Sequence, residues 1–404
     1  MTAFDTDWVR AQFPAFSEPS LQGLALFENA GGSYACGAVV DRLHRFYRER
    51  KVQPYAPFPA SEAAGAEMDE ARDRLSALLG VAPHELSFGP STTQNTYVLA
   101  QAFRQMLEEG DAIIVTDQDH EANSGPWRRL AEAGIEVREW RIDPESGALE
   151  LAGLERLLDD RVKLVCFPHC SNVVGQINDV AAICAVVHAA GAVACVDGVS
   201  AAPHGFANPW ALGADIYLFS AYKTYGPHQG IMCITEDLGM RLPAQGHHFN
   251  AGSLYKRFTP AGPDHAQVAA CAGMVDYYEA FAAHHGMSGD VRGQVAEAMA
   301  AREEALLQPL LDHVAAKNSV RLIGPREAAG RAPTVALVCD RPGEAVAADL
   351  AAHGIGAGGG DFYAQRPLEA MGVDPDHGVL RLSFTHYTSA AEVDRLMEAL
   401  DAVL

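Results

Sequence analysis

The sequence predicts an α/β fold: a large domain built on a mostly parallel seven-stranded sheet, followed by a smaller C-terminal α+β domain. Three observations lead there. Short apolar runs alternate with helical stretches between residues 85 and 235, and this alternation specifies a doubly wound sheet. The character changes near Asp290, where a long helix to about Ala316 precedes a second group of strands and helices. The chain's 404 residues, 49% of them hydrophobic, suffice for one large and one small core. The expected division is an N-terminal segment, 1–20, packing with the small domain, a large domain over 21–285, and a small domain over 286–404.

In order, Phe4, Trp8, Val9 and Phe13 have roughly helical spacing and Pro14 ends the run, which predicts a short amphipathic helix. Leu24 to Phe27 reads as a strand entering the turn Glu28-Asn29-Ala30-Gly31-Gly32, where backbone could approach a ligand. Helices are expected over 38–50 and 62–79, separated by the proline-rich stretch 54–59. The strands of the large sheet are expected at 85–88, 112–116, 136–141, 163–168, 192–197, 216–220 and 230–235. In the small domain they are expected at 320–323, 334–339 and 379–384, with helices at 344–353 and 390–404. Ser389-Ala390-Ala391-Glu392 is a capping box for the last helix.

A net charge of −22 argues against nucleic acid or an anionic membrane as a partner. The N-terminus lacks the basic and apolar regions of a signal peptide. Eight cysteines without a CxxC pair, mostly in apolar segments, read as buried free thiols in a reducing cytoplasm. Metal is not expected. Cys166, His169 and Cys170 would have to serve one zinc ion from a single strand, and the adjacent pairs His247-His248 and His284-His285 point apart.

Ligands in open α/β sheets sit beyond the carboxyl ends of the strands, and five of these ends carry polar groups. Ser91, Thr92 and Thr93 open a helix after Phe88, a place for a phosphate or simply a helix cap. His120 follows the strand ending near Thr116, Asn172 the one ending at Pro168, and Asp197 closes the next. Ser220 and Lys223 follow Phe219; the chain has only five lysines, and one at a buried strand end is desolvated and available as a nucleophile. Each group alone could be an ordinary loop cap. Together they suit pyridoxal 5'-phosphate, which needs an amine, an acid for its pyridine nitrogen and a phosphate cup.

With Asp197 placed 26 positions before Lys223, and the frame Ser220-x-x-Lys223-x-x-Gly226-Pro227 around it, the chain resembles the class V aminotransferase family. The resemblance is to the cysteine desulfurase and selenocysteine lyase branch and runs from Phe27 to the last helix. It implies fold type I of the pyridoxal phosphate enzymes, a homodimer and an amino-acid substrate. It further implies that Lys223 carries the cofactor as a Schiff base and moves the substrate's α-proton. Asp197 would pair with the pyridine nitrogen, His120 stack on the ring and Asn172 donate to the phenolic oxygen. Thr92, Thr93 and Ser220, with Ser91 beside them, would hold the phosphate, Arg381 would grip the substrate carboxylate, and Asn29 and Ala30 would line the substrate.

The chain also departs from that branch. Tyr222 stands where a histidine often precedes the lysine, and Ser200 where Gln or His often follows the aspartate; both are carried as cofactor contacts. The stretch 259–265 lacks the Gly-Thr pair by which a partner subunit usually helps hold the phosphate. Above all, no cysteine follows Cys339, and the loop Gly354 to Tyr363 offers glycines where a desulfurase needs its mobile thiol. Those glycines match GxGxxG, but no strand is expected to lead into them, so they read as sources of mobility or room. The expectation is a lyase acting by β-elimination without persulfide chemistry. Transamination, epimerisation and a binding protein without turnover stay open.

Overall fold

A computed structural model describes residues 4–404; residues 1–3 of the expected N-terminal segment lie outside the described residues. The strands, in chain order, are β1 (Ala25–Leu26), β2 (Leu86–Gly89), β3 (Ala112–Thr116), β4 (Glu136–Trp140), β5 (Val162–Pro168), β6 (Val193–Asp197), β7 (Ile216–Ser220), β8 (Gly230–Ile234), β9 (Val320–Ile323), β10 (Thr334–Cys339), β11 (Ile355–Gly356), β12 (Gly358–Gly360) and β13 (Val379–Ser383). The large sheet has the order β2-β8-β7-β6-β5-β3-β4. Its strands fall within one residue of the expected runs at each end. β8 runs antiparallel to both neighbours, and the other strand pairs of the sheet are parallel. Because β8 lies between β2 and β7, reversing it leaves β2 and β7 pointing the same way. All five strands that carry polar groups therefore deliver them to one edge.

β3, β7 and β8 are buried along their whole length, as strands covered on both faces must be. One face packs on a core that includes Leu75, Trp140, Phe167 and Tyr278, the other on one that includes Phe103, Trp127 and Leu218. The small domain holds the antiparallel sheet β12-β13-β10-β9.

The structure corrects the expected organisation in three places. Ala25 and Phe27 pack in the small-domain core with Leu337 and Leu382, and β1 pairs with β11, so residues 25–28 sit apart from the large domain assigned to begin at 21. The helix Val291–Ala315 crosses from one core to the other, with Val295 and Met299 in the large core and Leu306 to Val314 in the small. The N-terminal helix is short, Thr6–Ala11, and touches both domains: Val9 and Phe13 join the large core while Arg10 pairs with Glu392 at 2.7 Å.

The glycine run is also not the unpaired loop expected of it. Gly358 to Gly360 pair with β13 across Val379 to Arg381. A Cβ on Gly359 would stand 2.2 Å from the Gly343 backbone, so glycine here permits a helix to press on the strand. Gly359→Ala is expected to destabilise the protein by about 1–3 kcal/mol. Gly252→Ala, where nothing lies within 4 Å, stays within about 0.5 kcal/mol of wild type. Urea unfolding of the two variants checks this, and equal midpoints would show that the close approach carries no weight.

Candidate cofactor and substrate site

At the strand edge a pocket of about 470 Å³ is lined by Thr92, Thr93, His120, Asn172, Asp197, Ser200, Ser220, Tyr222 and Lys223. Nine residues named from sequence thus meet in one cavity. Thr92 and Thr93 begin the helix Thr92–Met106, and the Thr92 and Ser220 hydroxyls lie 2.8 Å apart. Free amides and hydroxyls at the start of this helix make a cradle for an anion. Ser91 is not part of the lining; its hydroxyl accepts the Gln94 N–H at 3.1 Å and caps the helix.

Asp197 Oδ1 accepts the Val199 N–H at 2.8 Å. Burial raises the Asp197 carboxyl to about 6, against the opposing pull of that N–H and of Lys223. A positive group beside it would restore its charge. Lys223 ends the 3-10 turn that follows β7 and is 7% exposed. Burial, then the Arg381 charge, lower its amine to about 8, with Asp197 and Glu28 opposing. Near physiological pH the amine is thus still mostly protonated, but it gives up its proton far more readily than an ordinary lysine. Burial, with help from Lys223 and Arg381, drops the His120 imidazole to about 3, so the ring is uncharged. Its Nδ1 accepts the Ala122 N–H at 3.0 Å. The Tyr222 ring stacks on His228 at 4.8 Å.

Asn172 donates Nδ2–H to the Phe362 carbonyl at 3.1 Å and keeps one further N–H. Its Oδ1 is buried without a partner, and an unsatisfied buried polar atom at a pocket is one that a ligand can satisfy. Asn29 and Ala30 lie instead in a narrower chamber of about 270 Å³ that Lys223 and Ser200 also line. There Asn29 donates to the Ser383 carbonyl at 3.2 Å and Ala30 donates its N–H to Ser383 Oγ at 2.9 Å. The stretch 259–264 lines a separate cavity with Phe88 and Gln229.

Arg381, on β13, is 3% exposed and outside the main pocket. It already has partners. Nη2 donates to Glu28 Oε1 at 2.5 Å, Nη1 to the Asn172 carbonyl at 3.3 Å, and the guanidinium lies 3.8 Å from the Phe362 ring centre. Its Nε is buried and unpartnered. Glu28 is the residue that reading the sequence missed. The available signal was a carboxylate placed directly after the apolar run Leu24 to Phe27, at the start of the glycine turn.

The described cysteines are all free and buried. Cys170 lines the pocket, with burial pushing its thiol up to about 12. His284 is stacked on Trp8 and bonded to Asp5 at 3.0 Å, and His285 is stacked on Phe281. Neither is arranged as a metal ligand.

A buried amine of lowered basicity, a carboxylate on the adjacent strand and a hydroxyl cradle at a helix start fit pyridoxal 5'-phosphate. Fold and site together define a pyridoxal phosphate enzyme of fold type I. The sequence pattern described as Aminotransferase class-V matches residues 25–396. The aminotransferase-like protein FGM3 of Gibberella zeae is 32% identical, covering 100% of this chain and 99% of that protein. A cysteine desulfurase of Serratia proteamaculans is 30% identical, covering 99% and 98%. The solved cysteine desulfurase CsdA of Escherichia coli superposes with a TM-score of 0.83 at 24% identity, over 99% of this chain and 98% of that one. The chain belongs to the class V aminotransferase family, and members of that family use pyridoxal phosphate.

Covalent capture of added pyridoxal phosphate by the cofactor-free protein is expected to follow an apparent pKa near 8. Asp197→Asn removes a charge that holds the amine up, so it moves the midpoint lower. Stopped-flow absorbance between pH 6 and 10.5 reads both, and a midpoint at the ordinary lysine value of about 10.4 would show that burial does not tune this amine.

Proposed function

We propose that the protein is an amino-acid lyase that removes a β-substituent and forms no protein persulfide. The observation that carries the reading is the absence of a reactive thiol around the pocket. Among the described residues the lining contains Cys170 alone of the cysteines, 3% exposed and held as a thiol. A thiol in that state is a poor nucleophile. The small-domain segment that approaches the site presents Phe362 and Tyr363 instead.

The bound cofactor would supply an electron sink for the pair left at the substrate's Cα. Lys223 would hold it covalently, Asp197 would accept from its pyridine nitrogen, and Thr92, Thr93 and Ser220 would hold its phosphate. His120 would cover one face as a neutral ring, and Asn172 would donate its remaining amide N–H. During turnover Lys223 Nζ would take the Cα proton, and the ammonium so formed would give that proton to the departing β-substituent, a two-way role that suits an amine of lowered basicity. Arg381 orients the substrate carboxylate through its unpartnered Nε. Asn29 and Ala30 bound the chamber next to Lys223.

The visible spectrum of the purified holoenzyme, followed while amino acids are added, tests the reaction. A lyase recovers its cofactor absorbance while ammonia and a 2-oxo acid accumulate over many turnovers. One equivalent of 2-oxo acid, with no more until a second 2-oxo acid is supplied, would replace the reading by transamination. Lys223→Ala is expected to bind the cofactor without a covalent bond and to lose turnover; borohydride fixation in that variant would remove Lys223 from its role. Arg381→Ala is expected to lower kcat/KM for amino acids by about a hundredfold through lost orientation of the substrate, and an unchanged kcat/KM would take Arg381 out of the site.

A further inference from the structure

Phe362 and Tyr363 are consecutive, and both have left-handed backbone, with φ of 54° and 56°. Bulky residues adopt that region at a cost in stability, and strain of this kind persists where surrounding contacts over-determine it, often at ligand sites. The contacts at Phe362 are evident. Its ring lies under Arg381, and its carbonyl receives the Asn172 amide. At Tyr363 the backbone is held by Asp361, which accepts its N–H at 3.0 Å, and by the Glu121 N–H, which donates to its carbonyl at 2.8 Å. The Tyr363 side chain gains little from the chain itself. It is 73% exposed, and among the described residues the ring it meets is that of His120, at 5.5 Å between centres.

That contact sets Tyr363 at a boundary. His120 lines the inner pocket, while Tyr363 lines an outer vestibule of about 840 Å³ with Glu121, Asp361, Gln365, Arg366 and Glu369. The vestibule wall is polar throughout, with three carboxylates against one guanidinium, which lies 3.5 Å from Glu121. The phenol therefore stands where a side chain extending past His120 would enter the vestibule.

We propose that Tyr363 determines substrate specificity: it receives an extended, polar, non-acidic amino-acid side chain as that chain passes from the inner pocket into the vestibule. The inference rests on the amino-acid reading above. Phe362 acts in the same elbow as a positioning residue, holding Arg381 and Asn172 while the strained backbone aims Tyr363 outward.

The test uses the holoenzyme and the variants Tyr363→Phe, Tyr363→Ala and Tyr363→Gly. Dissociation constants come from the change in cofactor absorbance with L-glutamine, L-serine and L-glutamate. Wild type binds glutamine more tightly than serine, and glutamate weakest. Tyr363→Ala lowers the glutamine-to-serine preference tenfold or more, and Tyr363→Phe lowers it by a smaller factor. Tyr363→Gly matches Tyr363→Ala in selectivity but melts at a higher temperature, because glycine is at ease at this φ.

An unchanged preference in Tyr363→Ala, or equal weakening for all three amino acids, overturns the specificity role while leaving the enzyme reading intact. A change in oligomeric state with selectivity preserved would overturn it too, by showing that the phenol meets another subunit. If no amino acid alters the wild-type spectrum, the enzyme reading itself falls, and the role of Tyr363 with it. Tyr363→Gly melting below Tyr363→Ala would overturn the claim of a strained elbow.

Discussion

The site depends on placing one ammonium group where water cannot solvate it. Lys223 ends a strand that is buried along its length, and desolvation favours its neutral form. Left alone, that burial would exact a large penalty from the charged state. Asp197, one strand away, recovers part of it, and Glu28 acts in the same sense from the small-domain side. The outcome is an amine poised near 8, and it requires the strand order: β6 and β7 must be parallel neighbours for their polar ends to share an edge. Reversing β8 between β7 and β2 then brings the hydroxyls of Thr92 and Ser220 together.

This architecture was legible because it follows from local pattern. Each large-sheet strand is a short apolar run with a polar turn behind it, and direction follows once helices intervene. That is why nine residues named from sequence meet in one pocket. What could not be read depends on contacts between distant segments. Ser91 and Thr92 look alike in a Ser-Thr-Thr stretch, yet only geometry shows that the first hydroxyl is used by the Gln94 N–H. The glycines of β12 suggested freedom, whereas they are small because Gly343 and Glu28 press against them. Glu28 itself is paired with a residue 353 positions away, a separation that no periodicity reports.

The two domains meet at side chains that serve both. β1 carries Glu28 out of the small-domain core to Arg381, and the Arg381 guanidinium reaches back to the carbonyl of Asn172 in the large domain. Val173, Val174 and Ile142 of the large domain pack with Ile323, Leu368 and Val379 of the small one, giving this junction its own apolar core. Apolar packing therefore fixes the separation of the domains, and the polar groups beside it are aligned to within hydrogen-bonding distance.

Arg381 shows why that alignment matters for selectivity. A buried guanidinium without an anion would be strongly destabilising, so Glu28 gives it a resident partner, and burial's pull on its proton is opposed by that same carboxylate. A carboxylate ligand arriving at Nε therefore meets a cation already half satisfied. Its net gain is the difference between two anionic environments, which is smaller than the attraction of a bare charge. In its proposed role the arginine would then contribute orientation more than affinity, since its plane is fixed by the Phe362 ring and by two hydrogen bonds. If the proposed carboxylate contact is made modest in this way, the energy that separates one amino acid from another would have to come from the side chain, at the mouth where the small domain faces His120.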